Sequence, residues 1–587
     1  MTVSRRLLRA SLACALVGTA LWPMPAPCQN VPVEEYVLEN GMRFLLLPKK
    51  GDPNIAVGWI ARVGSVNERP GITGIAHLFE HMMFKGTHVI GTRDIEKNLK
   101  IMAELDRVKG EIAKEEALLA VKQRLGEVPT PARGEDRSAR HNDLLQELEK
   151  LTKEEHEVLV KDEFDKVYTA AGASGMNAGT TNDFTIYFIN VPANKLELWY
   201  WMESDRLLNP VFREFYSERD VVREERRLRI DSTPIGRFQE ELDALFWGSS
   251  PYGWPVIGWP CDIEAVTRDE ALEFFGVYYA PNNLTACLVG DFEPAQAKEL
   301  AKKYFGRIQR GRREPALIRT REVPQLAERR MTAIAETKPR VRVRWHTVPE
   351  GHVDEPALTL LAKVLSGKTG RFYKALVLDQ QVANEADADQ ESLKYEGYFE
   401  VDGVAKQGKT PEEVEKALYA EMEKLKNEPV AERELEKVKN QEAAANYRRL
   451  RVNFSLLMQL LIRDAHRGWS TINTDPPRVA AVTAADIQRV AKTYFPLEGR
   501  TVAIYYTKES PASADVDPTI VGLSEEDQAQ LKQFKSFVGQ AKPEQIKQMV
   551  ERMKAQESTV PAEKKPVFQA ILKTAEERLK KTEGAQQ

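Results

Sequence analysis

The sequence predicts an α+β fold built from two related halves, with a helical insertion in the first half and a helical tail. Three observations carry that reading. Val266-Thr267 through Tyr278-Tyr279 to Thr285-Ala286-Cys287-Leu288-Val289 recurs as Val482-Thr483 through Tyr494-Phe495 to Thr501-Val502-Ala503-Ile504-Tyr505, at a constant offset of 216. Each copy reads as a helix, a short loop and an apolar strand, so the repeat marks a duplicated α/β unit. Strand-like apolar runs alternate with amphipathic helical ones over most of the chain, whereas 94–166 and the stretch beyond 511 are dense in Lys and Glu at helical spacing. At 587 residues the chain is also too long for one core.

Taken in order, residues 1–28 read as a secretory signal. Arg5, Arg6 and Arg9 precede an apolar run from Leu12 to Leu21, followed by Pro23, Pro25, Pro27 and Cys28. That run is too short for a membrane span, and no later stretch is long and apolar enough to be one. The protein is therefore expected to be exported, periplasmic or secreted, with no transmembrane span after signal removal. An uncleaved N-terminal anchor is the alternative. Cys14 and Cys28 belong to this segment, which leaves Cys261 and Cys287, too few for a disulfide framework. A net charge of −4 provides no basic surplus for nucleic acid.

An N-terminal domain is expected over 29–312. It opens with strand-like runs, Tyr36-Val37-Leu38, Phe44 to Leu47 and Ile55 to Ile60, the last following the Gly51-Asp52-Pro53 turn. At 94–166 Ile101, Leu105, Val108, Ile112 and Leu119, then Leu144, Leu148, Leu151 and Val158, keep a coiled-coil-like rhythm. Pro129, Pro131 and Gly134 separate the two runs, which predicts an inserted antiparallel helical hairpin with a solvated, charged face. Strand texture returns over 175–189. An amphipathic helix follows from Leu196 to Leu208, and another starts near Glu214. A C-terminal domain, 325–510, holds the second repeat copy, and 511–587 forms a charged, partly helical tail.

The chemistry is concentrated in Gly74-Ile75-Ala76-His77-Leu78-Phe79-Glu80-His81-Met82-Met83-Phe84-Lys85-Gly86. On a helix His77 and His81 lie one turn apart on one face, and Glu80 shares it. Two neutral imidazoles at this spacing suit Zn²⁺, and the adjoining carboxylate can act as a base. The order His-x-x-Glu-His reverses that of the commoner zinc-protease helix. Ile75, Leu78, Phe79, Met82 and Met83 make the helix a buried one, and a buried His-Glu-His cluster needs a compensating partner. The second half has no such cluster, and His346, His352 and His466 are isolated in sequence. A catalytic zinc needs a third protein ligand from elsewhere in the chain.

These residues resemble the pitrilysin, or inverzincin, family of zinc metallopeptidases, which includes insulin-degrading enzyme and the mitochondrial processing peptidase. In that family the third ligand is a Glu on a later helix, seven residues after another Glu. Glu218-Arg219-Asp220-Val221-Val222-Arg223-Glu224-Glu225 fits that spacing. The resemblance implies Glu225 as ligand and Glu218 as the residue supporting it. Glu224, about 100° away around a helix, is the adjacent competitor. Asn177-Ala178, followed by Thr180 and Asp183, resembles the edge strand on which the family lays its peptide. Pro251-Tyr252-Gly253, Pro281-Asn282-Asn283-Leu284 and, more loosely, Gly370 to Leu376 extend the likeness over about residues 32 to 510, with the 94–166 insertion and the tail outside it.

What the resemblance implies is a clam-like fold with antiparallel sheets and helices packed on one side of each. It also implies one Zn²⁺ per chain, held by His77, His81 and Glu225, with Glu80 as catalytic base and Asn177 and Ala178 binding substrate. Short or unfolded peptides would be hydrolysed after pairing as an added strand. The chain is similar to shorter members that dimerise, as homodimers or with a related zinc-less chain. The alternative is a non-catalytic or partner-dependent subunit of a peptidase-fold assembly.

Overall fold

The computed structural model describes residues 30–129 and 136–508, and parts of the tail from 527 to 584. The expected signal, together with Pro131 and Gly134 of the hairpin turn, lies outside the described residues.

The first half forms a six-stranded sheet from β1 (Glu34–Val37), β2 (Arg43–Pro48), β3 (Asn54–Ala61), β4 (Ser174–Thr180), β5 (Thr185–Pro192) and β6 (Leu284–Gly290). Its order is β1-β2-β6-β3-β5-β4, antiparallel except for the β2–β6 pair. Because successive side chains point to opposite faces, Phe44 and Leu46 meet one layer while Leu45 and Leu47 meet another. The first layer contains α1 (Ile75–Met82), α5 (Leu196–Leu208), α6 (Phe215–Arg226), α9 (Arg268–Tyr278) and α10 (Pro294–Tyr304). Between α1 and β4 come α2 (Ile95–Arg124), α3 (Ala139–Val158) and α4 (Glu163–Ala170); α7 (Pro234–Phe246) and α8 (Pro260–Ala265) follow α6.

In the second half β7 (Arg329–Ala335), β8 (Arg340–Thr347), β9 (Ala383–Ser392), β10 (Gly397–Ala405) and β11 (Arg500–Thr507) form a five-stranded sheet ordered β7-β11-β8-β10-β9. Without β1, the first sheet has the same order, again with one parallel pair, β7–β11. The helices are α11 (Glu355–Leu365), α12 (Pro411–Asn427), α13 (Glu432–Arg451), α14 (Asn453–His466), α15 (Thr471–Ala481) and α16 (Ala484–Tyr494). The repeat is visible down to its helix caps. Thr267 and Glu270 form a reciprocal capping box on α9, and Thr483 and Asp486 form one on α16.

Each half also sends a helix to the other half's sheet. From the second half, Leu456, Leu457, Leu460, Leu461 and Ala465 of α14 cover the face of the first sheet that carries Leu45, Leu47, Ala56, Ile60, Cys287 and Val289. From the first half, Phe238 and Leu242 of α7 pack on Ala503 and Tyr505. Both contacts are pinned by buried charge. Asp464 of α14 accepts from Arg43 (2.7 Å), Arg62 (2.5 Å) and Thr285 (2.7 Å). Arg344 of β8 donates to Asp243 of α7 (2.5 Å) and to Glu400 (2.6 Å).

The insertion is a hairpin of α2 and α3, packed through Ile101, Leu105, Val108, Ile112, Leu144 and Val158. In the tail, helices α17 (Pro543–Gln556) and α18 (Lys565–Gly584) pack through Ile546, Val550, Leu572 and Ala575. No helix among the described residues is long and apolar enough to cross a membrane.

Candidate metal centre

Helix α1 is bounded by two glycines that the backbone requires. Gly74 has φ +88° and lies so close to the 257–258 backbone that a Cβ would meet Ile257 O at 2.5 Å; Gly86 has φ +93°. No side chain of the N-cap residue satisfies the first turn. Instead the buried Glu68 carboxylate accepts from the N–H groups of Gly74 and Ala76, both at 2.8 Å. Asp262 fixes the preceding loop by accepting from Thr73 Oγ1 (2.6 Å) and Thr73 N–H (3.1 Å). Ile75, Leu78, Phe79 and Met82 are buried, so the opposite face of α1, with His77, Glu80 and His81, turns towards α6 and β4.

Helix α6 begins at Phe215 and passes straight into a π-helical turn, Arg227–Asp231. It brings Glu225 to α1: Glu225 Oε2 lies 3.4 Å from His81 Nε2 and 3.8 Å from His77 Nε2. One ligand atom from each of the three residues falls within 4.8 Å of the others. Glu218, two turns earlier, lies 3.3 Å from His81 Nδ1. A proton on Nδ1 then leaves Nε2 with its lone pair towards Glu225. Lys85 contacts the other oxygen of Glu218, and lies 3.2 Å from Glu214. Glu224 faces solvent and pairs with Arg227 (2.8 Å), away from the cluster.

The electrostatics separate the two imidazoles. Burial, together with the charges of His81 and Arg229, pushes His77 down to about 3, which keeps it neutral. Burial opposes protonation of His81 as well, but the hydrogen bond and charge of Glu218, with Glu225 and Glu80, outweigh it and raise its pKa. Glu80 is half-buried; desolvation lifts its carboxyl above the ordinary range, partly opposed by the hydroxyl of Thr180, which donates at 2.7 Å.

These donors fit a tetrahedral zinc. Nitrogen and oxygen ligands about 2.0–2.2 Å from a zinc at tetrahedral angles stand roughly 3.3–3.6 Å apart, close to the 3.4 and 3.8 Å observed. Two imidazoles and a carboxylate are also the donor set of many catalytic sites, which leaves a fourth position open. The buried Nδ1 of His77 has no hydrogen-bond partner among the described residues, unlike that of His81.

Asn177 and Ala178 lie on β4, the exposed edge of the first sheet, and the Asn177 side chain accepts from Ala178 N–H (2.9 Å). Asp183, buried in the β4–β5 turn, accepts from Tyr252 Oη (2.8 Å) and from the N–H of Lys394 in the other half (3.1 Å). Sequence reasoning assigned no role to Glu68, Asp262, Lys85 or Arg229. Two of them carried a local signal. Lys85 is four residues after His81, and Arg229 is four after Glu225, whose Oε1 it contacts at 2.5 Å.

The chain is similar to known proteins over most of its length. Residues 43–107 match the model of the insulinase family, peptidase family M16, and residues 265–442 match that of the peptidase M16 inactive domain. The chain is 28% identical over 479 residues to the zinc protease PqqE of Helicobacter pylori, covering 79% of this chain and 90% of the relative. A crystal structure of a protease from Helicobacter pylori shares the fold with a TM-score of 0.66 at 23% identity, over 81% of this chain and 99% of that one. The periplasmic protease PqqL from Escherichia coli matches with a TM-score of 0.59 at 14% identity, over 82% of this chain but 48% of its own. The chain thus carries domains of the insulinase- and pitrilysin-like peptidase family M16 in both halves.

Proposed function

We propose that the chain is a zinc-dependent endopeptidase that hydrolyses short or unfolded peptides laid as an added strand along β4, with Glu80 as general base. The observation that carries this reading is the convergence of His77, His81 and Glu225 beside a carboxylate on the same turn of helix. The description of the Helicobacter pylori relative as a zinc protease supports the choice of ion. A divalent zinc held by these residues supplies a Lewis acid for the scissile carbonyl and lowers the pKa of the attacking water.

The remaining work falls to the chain's own groups. Glu80 takes a proton from the water and returns it to the departing amine. Thr180 occupies its Oε2, which leaves Oε1 for the transfer. The raised carboxyl pKa suits a group that must both accept and release a proton near neutrality. On β4, Ala178 N–H is satisfied by its neighbour's side chain and not by β5, so an incoming strand can displace that amide and pair with the backbone. Binding through backbone groups makes extended peptides the substrates and leaves side-chain specificity weak.

Assembly and location are part of the same proposal. About half of the PqqL chain is matched by most of this one, so a pair of these chains, identical or one of them zinc-less, is equivalent to one such protein. The description of PqqL as periplasmic supports export. A partner-dependent subunit is the second reading, favoured by the match of 265–442 to an inactive domain.

The test is mass spectrometry of digests of an unfolded peptide and a folded protein, with and without a chelator. Chelator-sensitive cleavage of the unfolded peptide alone is expected. Glu80→Gln is expected to keep zinc and lose cleavage by about 10²- to 10⁴-fold. Wild-type cleavage by that variant refutes the base assignment. Light scattering on the purified chain, alongside its activity, separates a self-sufficient dimer from a subunit that needs another chain.

A further inference from the structure

A row of hydroxyl-bearing side chains lies between the proposed base and the core. Thr180 Oγ1 donates to Glu80 Oε2 at 2.7 Å. Thr180 and Thr185 are cross-strand partners closing the β4–β5 hairpin, with their hydroxyl oxygens 3.4 Å apart. Thr185 is fully buried and donates to Val63 O at 3.0 Å. Behind it, the Tyr279 hydroxyl contacts Thr185 and lies 3.0 Å from that of Tyr187. Tyr187 is stacked on Trp59 with ring centroids 4.2 Å apart, and Trp59 Nε1 donates to Glu203 at 2.6 Å. These groups belong to the packed layer under α1, so Thr180 is held from behind and not by solvent.

The internal repeat gives an independent reason to read this row as functional. Tyr278 corresponds to Tyr494 and keeps its hydroxyl, whereas Tyr279 corresponds to Phe495 and does not. Phe495 fills its place with ring contacts to Trp345 and Phe399, so the position needs an aromatic ring for packing in both halves. The hydroxyl is found only in the half that holds the His-Glu-His cluster.

We propose that Thr180, steadied by Thr185 and Tyr279, is the positioning residue for Glu80. A glutamate on a helix has several rotatable bonds, and the fixed Thr180 hydroxyl on Oε2, with the Thr180 backbone acting on the same carboxylate, favours one rotamer among them. Thr180 is also the last residue of β4. The residue that holds the base thus stands on the strand proposed to take the peptide. This rests on the reading of Glu80 as base and adds the element that aligns it with substrate.

The test uses the zinc-loaded full chain with Thr180→Val, Thr180→Ser and Tyr279→Phe. Thr180→Val keeps the shape and removes the donor. It is expected to lower kcat by about ten- to a hundredfold, with KM and zinc affinity within about twofold of wild type. Thr180→Ser restores most of the rate, and Tyr279→Phe lowers kcat by a smaller factor, about threefold. In crystals of metal-free Thr180→Val the Glu80 carboxylate is expected to leave its wild-type place. An undiminished kcat in Thr180→Val, or failure of Thr180→Ser to recover it, overturns the proposal while leaving the peptidase reading intact. If zinc-loaded wild type cleaves nothing, the peptidase reading fails. The positioning claim is then decided by the crystals, and a Glu80 carboxylate unmoved in Thr180→Val overturns it.

Discussion

Glu218→Ala isolates the contribution of a residue that touches no metal. Its carboxylate meets His81 Nδ1 at 3.3 Å and Lys85 on the other oxygen, at a side-chain exposure of 13%. Burial alone would raise its pKa, but His81 and Lys85 hold it below the ordinary range, so it is ionised at neutral pH. The charge fixes the tautomer and the ring plane of His81, and hence the direction of Nε2. Removing such a partner weakens metal binding by about 10- to 100-fold, or roughly 1.4–2.7 kcal/mol. The fold is expected to persist, because Lys85 retains Glu214 at 3.2 Å. Zinc affinity measured by competition with a chelator of known strength reads the effect. Glu224→Ala on the exposed side of the same helix is the control and is expected to change nothing. A Kd for Glu218→Ala within twofold of wild type, or an equal loss in both variants, would refute the account of how His81 is oriented.

Two further predictions concern the junction between the halves. Asp464→Ala strands the guanidinium of Arg62, which burial has already brought below its ordinary pKa, and is expected to cost about 3–5 kcal/mol. With unfolding entropy of roughly 2.1 cal/mol/K per residue, a body of this length loses about 1 °C for each kcal/mol, so scanning calorimetry should show Tm falling by about 3–5 °C. A drop under about 1 °C counts against it. Asp183 is raised above its ordinary pKa, chiefly by burial, against the pull of the Lys394 N–H, Tyr252 and the charges of His466 and Lys394. A carboxyl raised on folding contributes its stability below the unfolded value near 3.8 and loses it as pH climbs through the folded value. Denaturant midpoints for Asp183→Asn should therefore gain on wild type between pH 4 and pH 7; a drift the other way would contradict that sign.

How much of this was legible beforehand follows from the range of each interaction. His77, Glu80 and His81 are neighbours in sequence, and helical periodicity alone brings them onto one face. Glu225 could be named only through resemblance to a family, because nothing local ties α6 to α1. The amphipathic helix expected around Leu196 to Leu208 is found there, since its ends coincide with a change of pattern. The apolar stripe of α14 shows that one side is buried, but periodicity cannot say whose sheet receives it. Glu68 is a similar case. Its role as a remote cap depends on a loop that folds back onto α1, and an isolated Glu carries no sign of that. Thr180 entered the sequence reading only as part of the edge-strand resemblance, and its contact with Glu80 spans a hundred residues that no local pattern links.

The exchanged helices have a consequence for engineering. Neither half can keep its interior dry on its own, since α14 closes the first sheet and α7 the second. The half that lacks the His-Glu-His cluster is therefore still needed to close the sheet of the half that has it. A protease nick in the 309–328 linker should accordingly leave two pieces that stay clasped and elute together.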